Sequence, residues 1–156
     1  NVRRGRIKEM AENLTDIQYF EGERSWNLPV SVDIAIPCAT QNEISEEDAL
    51  KLIDKGVKAV GEGANMPSTP EAIEVFQSNG VIFAPGKAVN AGGVATSGLE
   101  MSQNSLRMNW TRDEVDAKLH AIMKEIHTQC VKFGRDDQGV VDYVKRANIA
   151  GFEKVA

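Results

Sequence analysis

Apolar positions along the chain fall into two regimes. Between residues 32 and 84 they come as short runs, each closed by Gly, Pro or Asn and each followed by helical spacing. Beyond residue 91 they recur every three or four residues. Short runs bounded by turn residues read as buried strands, and three-to-four spacing reads as helix. The first run, 32–36, ends at Pro37-Cys38-Ala39-Thr40-Gln41-Asn42. Ser45 then caps a helix, and Asp48 completes a capping box at its positive end. Ala49, Leu50, Leu52 and Ile53 supply that helix's apolar face, and Gly56 stops it. The second run, 57–60, ends at Gly61-Glu62-Gly63-Ala64-Asn65-Met66-Pro67. Thr69 caps the next helix, and Pro70 takes its first position, where a missing N–H costs nothing. Ile73 and Phe76 point inward, and Gly80 ends the element. The third run, 81–84, stops at Pro85-Gly86, and Asn90 is placed to cap a long helix over 90–109. Ala91, Gly92 and Gly93 open that helix at a cost of about 1 kcal/mol per Gly relative to Ala. Such a start marks either a ligand close to the backbone or tight helix packing.

Three strand–loop–helix units in a row predict an α/β fold: a parallel sheet with right-handed crossovers, followed by an α-helical tail. Ligands of such sheets sit outside the carboxyl ends of the strands. The three strand-end loops therefore share one crevice, and each carries an Asn: Asn42, Asn65 and Asn90. In the tail, Thr111 and Glu114 form a second capping box. Val115, Leu119, Ile122, Ile126, Cys130 and Phe133 follow as an apolar stripe, flanked by His120 and His127 as surface or contact histidines. A polar loop over 134–139 leads to a helix over 140–156, with Tyr143, Val144, Ile149 and Phe152 apolar. This tail carries more apolar surface than the sheet can cover and is expected to dock on something further. Upstream, 3–12 reads as a helix bearing Ile7, Met10 and Ala11, 17–20 as a weak strand, and 21–29 as a loop packed down by Trp26.

Length and composition narrow the function. A chain of 156 residues with 42% apolar content is one domain's worth of core. A net charge of -5 argues against broad nucleic-acid binding, and the basic run Arg3, Arg4, Arg6, Lys8 reads as a solvated helix face. No apolar run is long enough to span a membrane. Cys38 and Cys130 are far apart and read as packing residues in a reducing, cytoplasmic setting. Two histidines without Cys or His neighbours predict no metal site. The opening Asn1-Val2-Arg3-Arg4-Gly5-Arg6 and the closing Gly151-Phe152-Glu153-Lys154-Val155-Ala156 lead us to expect a piece of a longer polypeptide. There is no G-x-G-x-x-G turn and no P-loop, since five residues separate Gly80 from Gly86 and Ala88 stands where Ser or Thr is needed. Glu62 in a strand-end loop is either a general base or a structural carboxylate bonding loop N–H groups, and the second reading is preferred.

Three segments carry a resemblance that pattern alone does not supply. Pro37-Cys38-Ala39-Thr40-Gln41-Asn42-Glu43, Glu62-Gly63-Ala64-Asn65-Met66-Pro67 and the stretch from Ala84-Pro85-Gly86-Lys87 through Asn90-Ala91-Gly92-Gly93-Val94-Ala95-Thr96-Ser97 to Gln103-Asn104 resemble hexameric glutamate dehydrogenases of bacterial type. Arg146-Ala147-Asn148-Ile149-Ala150-Gly151-Phe152 resembles that family's C-terminal signature. The resemblance implies part of a Rossmann-like sheet: 1–90 as a partial dinucleotide-binding domain without its glycine-rich first unit, and 91–156 as helices that pack back toward a substrate domain. It implies oxidative deamination of L-glutamate to 2-oxoglutarate and ammonia, with hydride passing to NAD or NADP, NADP slightly favoured. It places Ala39 and Thr40 along the cofactor's ribose and pyrophosphate, Asn65 on the nicotinamide ribose and Asn90 on the carboxamide. Val94 and Ser97 would line the substrate pocket, with the Ser97 hydroxyl on the side-chain carboxylate. The family's catalytic lysine and aspartate belong to upstream sequence, so the chain is expected to hold no catalytic residue, to be inactive alone, and to work as part of a homo-hexamer. The competing reading is a non-catalytic nucleotide-binding or interaction module.

Overall fold

The computed structural model describes residues 5–132, 141–153 and 155–156. It divides into two units, Asn1–Val30 and Ser31–Ala156. The first holds helix α1 (Ile7–Glu12) and a single 3-10 turn, Ser25–Asn27. Within it, Lys8 Nζ lies 3.1 Å from the Glu21 carboxylate. The strand expected over 17–20 does not form. Apolar residues make a strand only where a neighbour takes their backbone groups, and Ile17, Tyr19 and Phe20 are all exposed without one.

The second unit holds β1 (Ile34–Ala35), α2 (Glu46–Asp54), β2 (Ala59–Gly61), α3 (Pro70–Ser78) and β3 (Ile82–Ala84). The strands run parallel in the order β1-β2-β3. They are shorter than their apolar runs for a definite reason. Val57 N donates to Leu52 O (3.1 Å) and Val81 N to Phe76 O (3.0 Å), so each run's first residue closes the preceding helix and does not enter the ladder. Side chains alternate across a sheet, and Ala35, Val60 and Phe83 form one register row on the buried face. Phe76 of α3 stacks on Phe83 with ring centres 5.9 Å apart. Ile44, Ala49, Leu52 and Ala72 complete this core. The neighbouring row, Ile34, Ala59 and Ile82, lies on the opposite face, where both isoleucines are more than half exposed.

The caps form as their sequences dictate. Ser45 N donates to Asp48 Oδ2 (3.0 Å) and Asp48 N to Ser45 Oγ (3.3 Å). Thr69 Oγ1 accepts from Ala72 N (3.3 Å), with Pro70 at the first helical position. Leu50 differs from its expected place on the apolar face. The buried positions of α2 are Asp48, Ala49 and Leu52, and Leu50, about 100° further round the helix than Ala49, is 48% exposed.

The long helix expected from residue 90 forms as α5 (Ala91–Leu106), and a short helix, α4 (Gly86–Val89), precedes it where a loop was expected. Asn90 is the hinge between them and makes no side-chain cap. Arg107 ends α5 in the left-handed region at φ 52°, with Met108 N bonded back to Gln103 O (3.1 Å). Helix α6 (Arg112–Lys132) opens on the expected box, with Thr111 N donating to Glu114 Oε2 (2.7 Å) and Glu114 N to Thr111 Oγ1 (3.3 Å). Its stripe is half-buried at Val115, Leu119, Ile122 and Ile126 and buried at Cys130. Phe133 and the loop expected over 134–139 lie outside the described residues. Helix α7 (Tyr143–Glu153) packs on α6 and β3, and Tyr143 stacks on His127 at 6.0 Å. His127 is thus a helix contact, while His120 pairs with Asp116 at 3.6 Å on the surface. No described helix is long and apolar enough to cross a membrane.

Candidate functional site

Parallel strands bring all three strand-end loops to one edge, and backbone bonds lace them together. Gly63 N and Ala64 N both donate to Pro37 O (2.9 and 3.0 Å). Asn42 N donates to Met66 O (3.0 Å), and Ile44 N to Pro67 O (2.8 Å). Asn42 and Met66 sit at φ 55° and 48°. A left-handed backbone is natural for Asn but costs Met about 1–2 kcal/mol, a strain that the surrounding bonds must hold.

Glu62 joins the second and third loops. Glu62 is 4% exposed. Oε1 accepts from Ser68 N (3.1 Å) and Oε2 from Gly86 N (2.8 Å). Both oxygens are engaged with backbone donors, so the structural reading of Glu62 holds and the general-base reading does not. A side chain added at Gly86 would meet Ala64 O at 2.7 Å, so α4 begins against the Ala64 carbonyl.

Asn65 and Asn90 meet directly. Asn90 Nδ2 donates to Asn65 Oδ1 (2.6 Å) and to Ala64 O (3.1 Å). Both amide hydrogens of Asn90 are committed, which fixes its plane. Asn90 Oδ1 and Asn65 Nδ2 have no partner among the described residues. One acceptor and one donor group are therefore held side by side at the rim. Asn42 does not join them with its side chain; it contributes the backbone bond to Met66.

Ala39 and Thr40 stand exposed on the first loop. Their N–H groups are both taken by Glu43 Oε2 (3.0 and 3.4 Å), so these backbone donors face a carboxylate within the loop. Val94 and Ser97 lie four and seven residues beyond Asn90, on one stripe of the helix. Val94 is 74% exposed. The hydroxyls of Thr96 and Ser102 are bonded to Gly92 O and Gly98 O four residues back, whereas the exposed Ser97 hydroxyl has no partner among the described residues. The small residues at the start of α5 serve two ends. Gly92 abuts Leu119 and Met123 of α6, and the space beside Gly93 is open.

Three features escape sequence reasoning: the Glu43 bracket, the Gly86 contact and a cleft of about 570 Å³ between α4, α6 and α7. The first two act through backbone atoms, which carry no residue-type signal. Lys87 reaches into that cleft and donates to Asn148 Oδ1. Cys130 lines it, and burial pushes its thiol pKa up. Among the described residues no group of three or more His, Cys, Asp or Glu is placed to hold a metal.

A parallel sheet with helices between its strands defines an α/β domain, a class whose ligands bind outside the carboxyl ends of the strands. The family model for glutamate/leucine/phenylalanine/valine dehydrogenases matches residues 1–156, and the chain belongs to that family. It is 61% identical over all its length to the NAD(P)-specific glutamate dehydrogenase of Xylanibacter ruminicola, and 58% to the NADP-specific enzyme of Haemophilus influenzae. A solved structure of Plasmodium falciparum glutamate dehydrogenase 2 superposes on 99% of the chain with a TM-score of 0.88 at 50% identity. The chain spans 34% of the length of each of these proteins.

Proposed function

We propose that this chain is the portion of a glutamate dehydrogenase carrying the second half of the nicotinamide-nucleotide domain (1–90) and the helices that return toward the substrate domain (91–156). The full polypeptide oxidatively deaminates L-glutamate to 2-oxoglutarate and ammonia in the cytoplasm, as a homo-hexamer. The bound NAD or NADP supplies the hydride acceptor. The single observation that carries the reading is the Asn65–Asn90 pair. Its fixed acceptor and donor suit a carboxamide N–H and a ribose hydroxyl, respectively. Asn90 therefore holds the carboxamide and Asn65 the nicotinamide ribose. Ala39 and Thr40 lie along the cofactor's ribose and pyrophosphate by contact and through the Thr40 hydroxyl, because their N–H groups already face Glu43.

Val94 and Ser97 continue the same stripe toward the substrate. A glutamate side chain entering a closed cleft brings a carboxylate, which needs donors when it loses water. The partner-free hydroxyl of Ser97 is one. In the full-length enzyme, Ser97→Ala is expected to lower kcat/KM for glutamate about 10–200-fold, the range for one lost polar contact, and to change norleucine use far less. Equal losses for both substrates would remove Ser97 from the pocket.

A further inference from the structure

We propose that Glu62 is a positioning residue for the nicotinamide end of the cofactor, acting through Gly86; this rests on the function proposed above. Gly86 occupies the first position of α4, after Pro85, and its N–H has no partner within the helix. Glu62 Oε2 supplies that partner at 2.8 Å, while Glu62 N donates to Ala84 O at 3.0 Å. The same residue thus grips the strand-to-helix junction by backbone and side chain. Its other oxygen holds Ser68 N on the second loop. The carboxylate ties the second loop, which carries Asn65, to the start of α4, which ends at Asn90.

The consequence is geometric. Gly86 already touches the limit of approach to Ala64 O, and Ala64 O is one of the two acceptors that orient the Asn90 amide. Releasing Gly86 N lets the start of α4 move away from the second loop, so the amide pair loses its fixed spacing. Ser97 sits seven residues beyond Asn90, on α5, and has no bond to either amide. The two N–H groups meet different oxygens of the carboxyl group, Oε1 and Oε2. A glutamine turns its NH2 toward one of them and leaves a buried donor unmet.

Glu62→Gln and Glu62→Asp in the full-length enzyme test this, with hydrogen–deuterium exchange over 84–90 as the structural readout and separate KM values as the functional one. Glu62→Gln is expected to speed exchange in that segment and raise the cofactor KM about tenfold. The glutamate KM should stay within about twofold, the loss of one charged hydrogen bond falling on one ligand only. Glu62→Asp, which keeps the charge on a shorter arm, is expected to recover part of the cofactor KM and serves also if the glutamine variant does not fold. Unchanged exchange over 84–90, an unchanged cofactor KM, or equal rises for both ligands would overturn the positioning role. Absence of glutamate-dependent nucleotide reduction by the unsubstituted enzyme would instead overturn the proposed function, and the exchange result would still decide whether Glu62 holds the loop.

Discussion

Gly86→Ala isolates the contact on which the amide pair depends. The added methyl would stand 2.7 Å from Ala64 O, 3.3 Å from Asn90 Nδ2 and 3.5 Å from Glu62 Oε2. Ordinary carbon contacts lie near 3.5–4.0 Å, so the carbonyl and the helix start must part by several tenths of an ångström. Ala64 has little room to yield, because its N–H is bonded to Pro37 O and its carbonyl to Asn90 Nδ2. The backbone at Gly86 is not in the left-handed region, so the penalty is steric alone. Overpacking of this kind costs about 1–3 kcal/mol, and each 1.4 kcal/mol expressed in binding is about tenfold in Kd. Fluorescence titration of reduced cofactor and thermal unfolding of the full-length enzyme measure the two parts. Gly98→Ala is the matched control: nothing lies within 4 Å of its added methyl in α5, and Ala gains up to about 1 kcal/mol of helix propensity over Gly. Gly86→Ala should unfold earlier and bind cofactor more weakly, the two losses together coming to about 1–3 kcal/mol, and Gly98→Ala should not unfold earlier. A Gly86→Ala enzyme with unchanged affinity and melting temperature refutes the close-contact argument.

Two further outcomes follow from the titrating groups. The Glu114 carboxylate is held below the usual range, first by Thr111 N–H and then by the Thr111 hydroxyl. A depressed folded pKa means that this contribution is present above the unfolded value and fades as pH falls through the folded one; Thr111→Val should move the Glu114 NMR titration upward without restoring it fully. Cys38 is exposed and Cys130 is buried with its thiol pKa raised. Maleimide labelling followed by mass spectrometry should therefore modify Cys38 first, and Cys130 only under denaturant.

What was legible in the sequence was local. Ser45 with Asp48, Thr69 with Pro70, and Thr111 with Glu114 each settle their own helix start within three residues, and all three form. The parallel sheet was legible because three apolar runs alternate with capped helices. Asn90 was not, because an amide that can cap a helix can equally reach across the fold, and its partner stands 25 residues away. The run at 17–20 has strand-like residues but no neighbouring strand, and only the tertiary structure reveals that lack. Glu62 was readable as a loop carboxylate, yet Gly86 and Ser68 as its donors were not, since a backbone N–H looks alike at every residue.

The residues proposed to bind ligand at this edge hold it and do not transfer protons. Asn65, Asn90, Thr40 and Ser97 bring amides and hydroxyls, none of which exchanges a proton readily near neutral pH. Glu62 has both oxygens in backbone bonds, and Lys87 is bonded to Asn148 beside the cleft against α6 and α7. Deamination requires an acid and a base, so under the proposed function those groups come from elsewhere in the polypeptide. The sheet argues the same way from packing. Parallel sheets are found with both faces covered, yet Ile34 and Ile82 stand open across Ala59 while Ala35, Val60 and Phe83 are buried. Among the described residues, a buried edge carboxylate held by two backbone donors and a sheet with one open face are independent observations. Both fit a chain that spans about a third of each relative it matches.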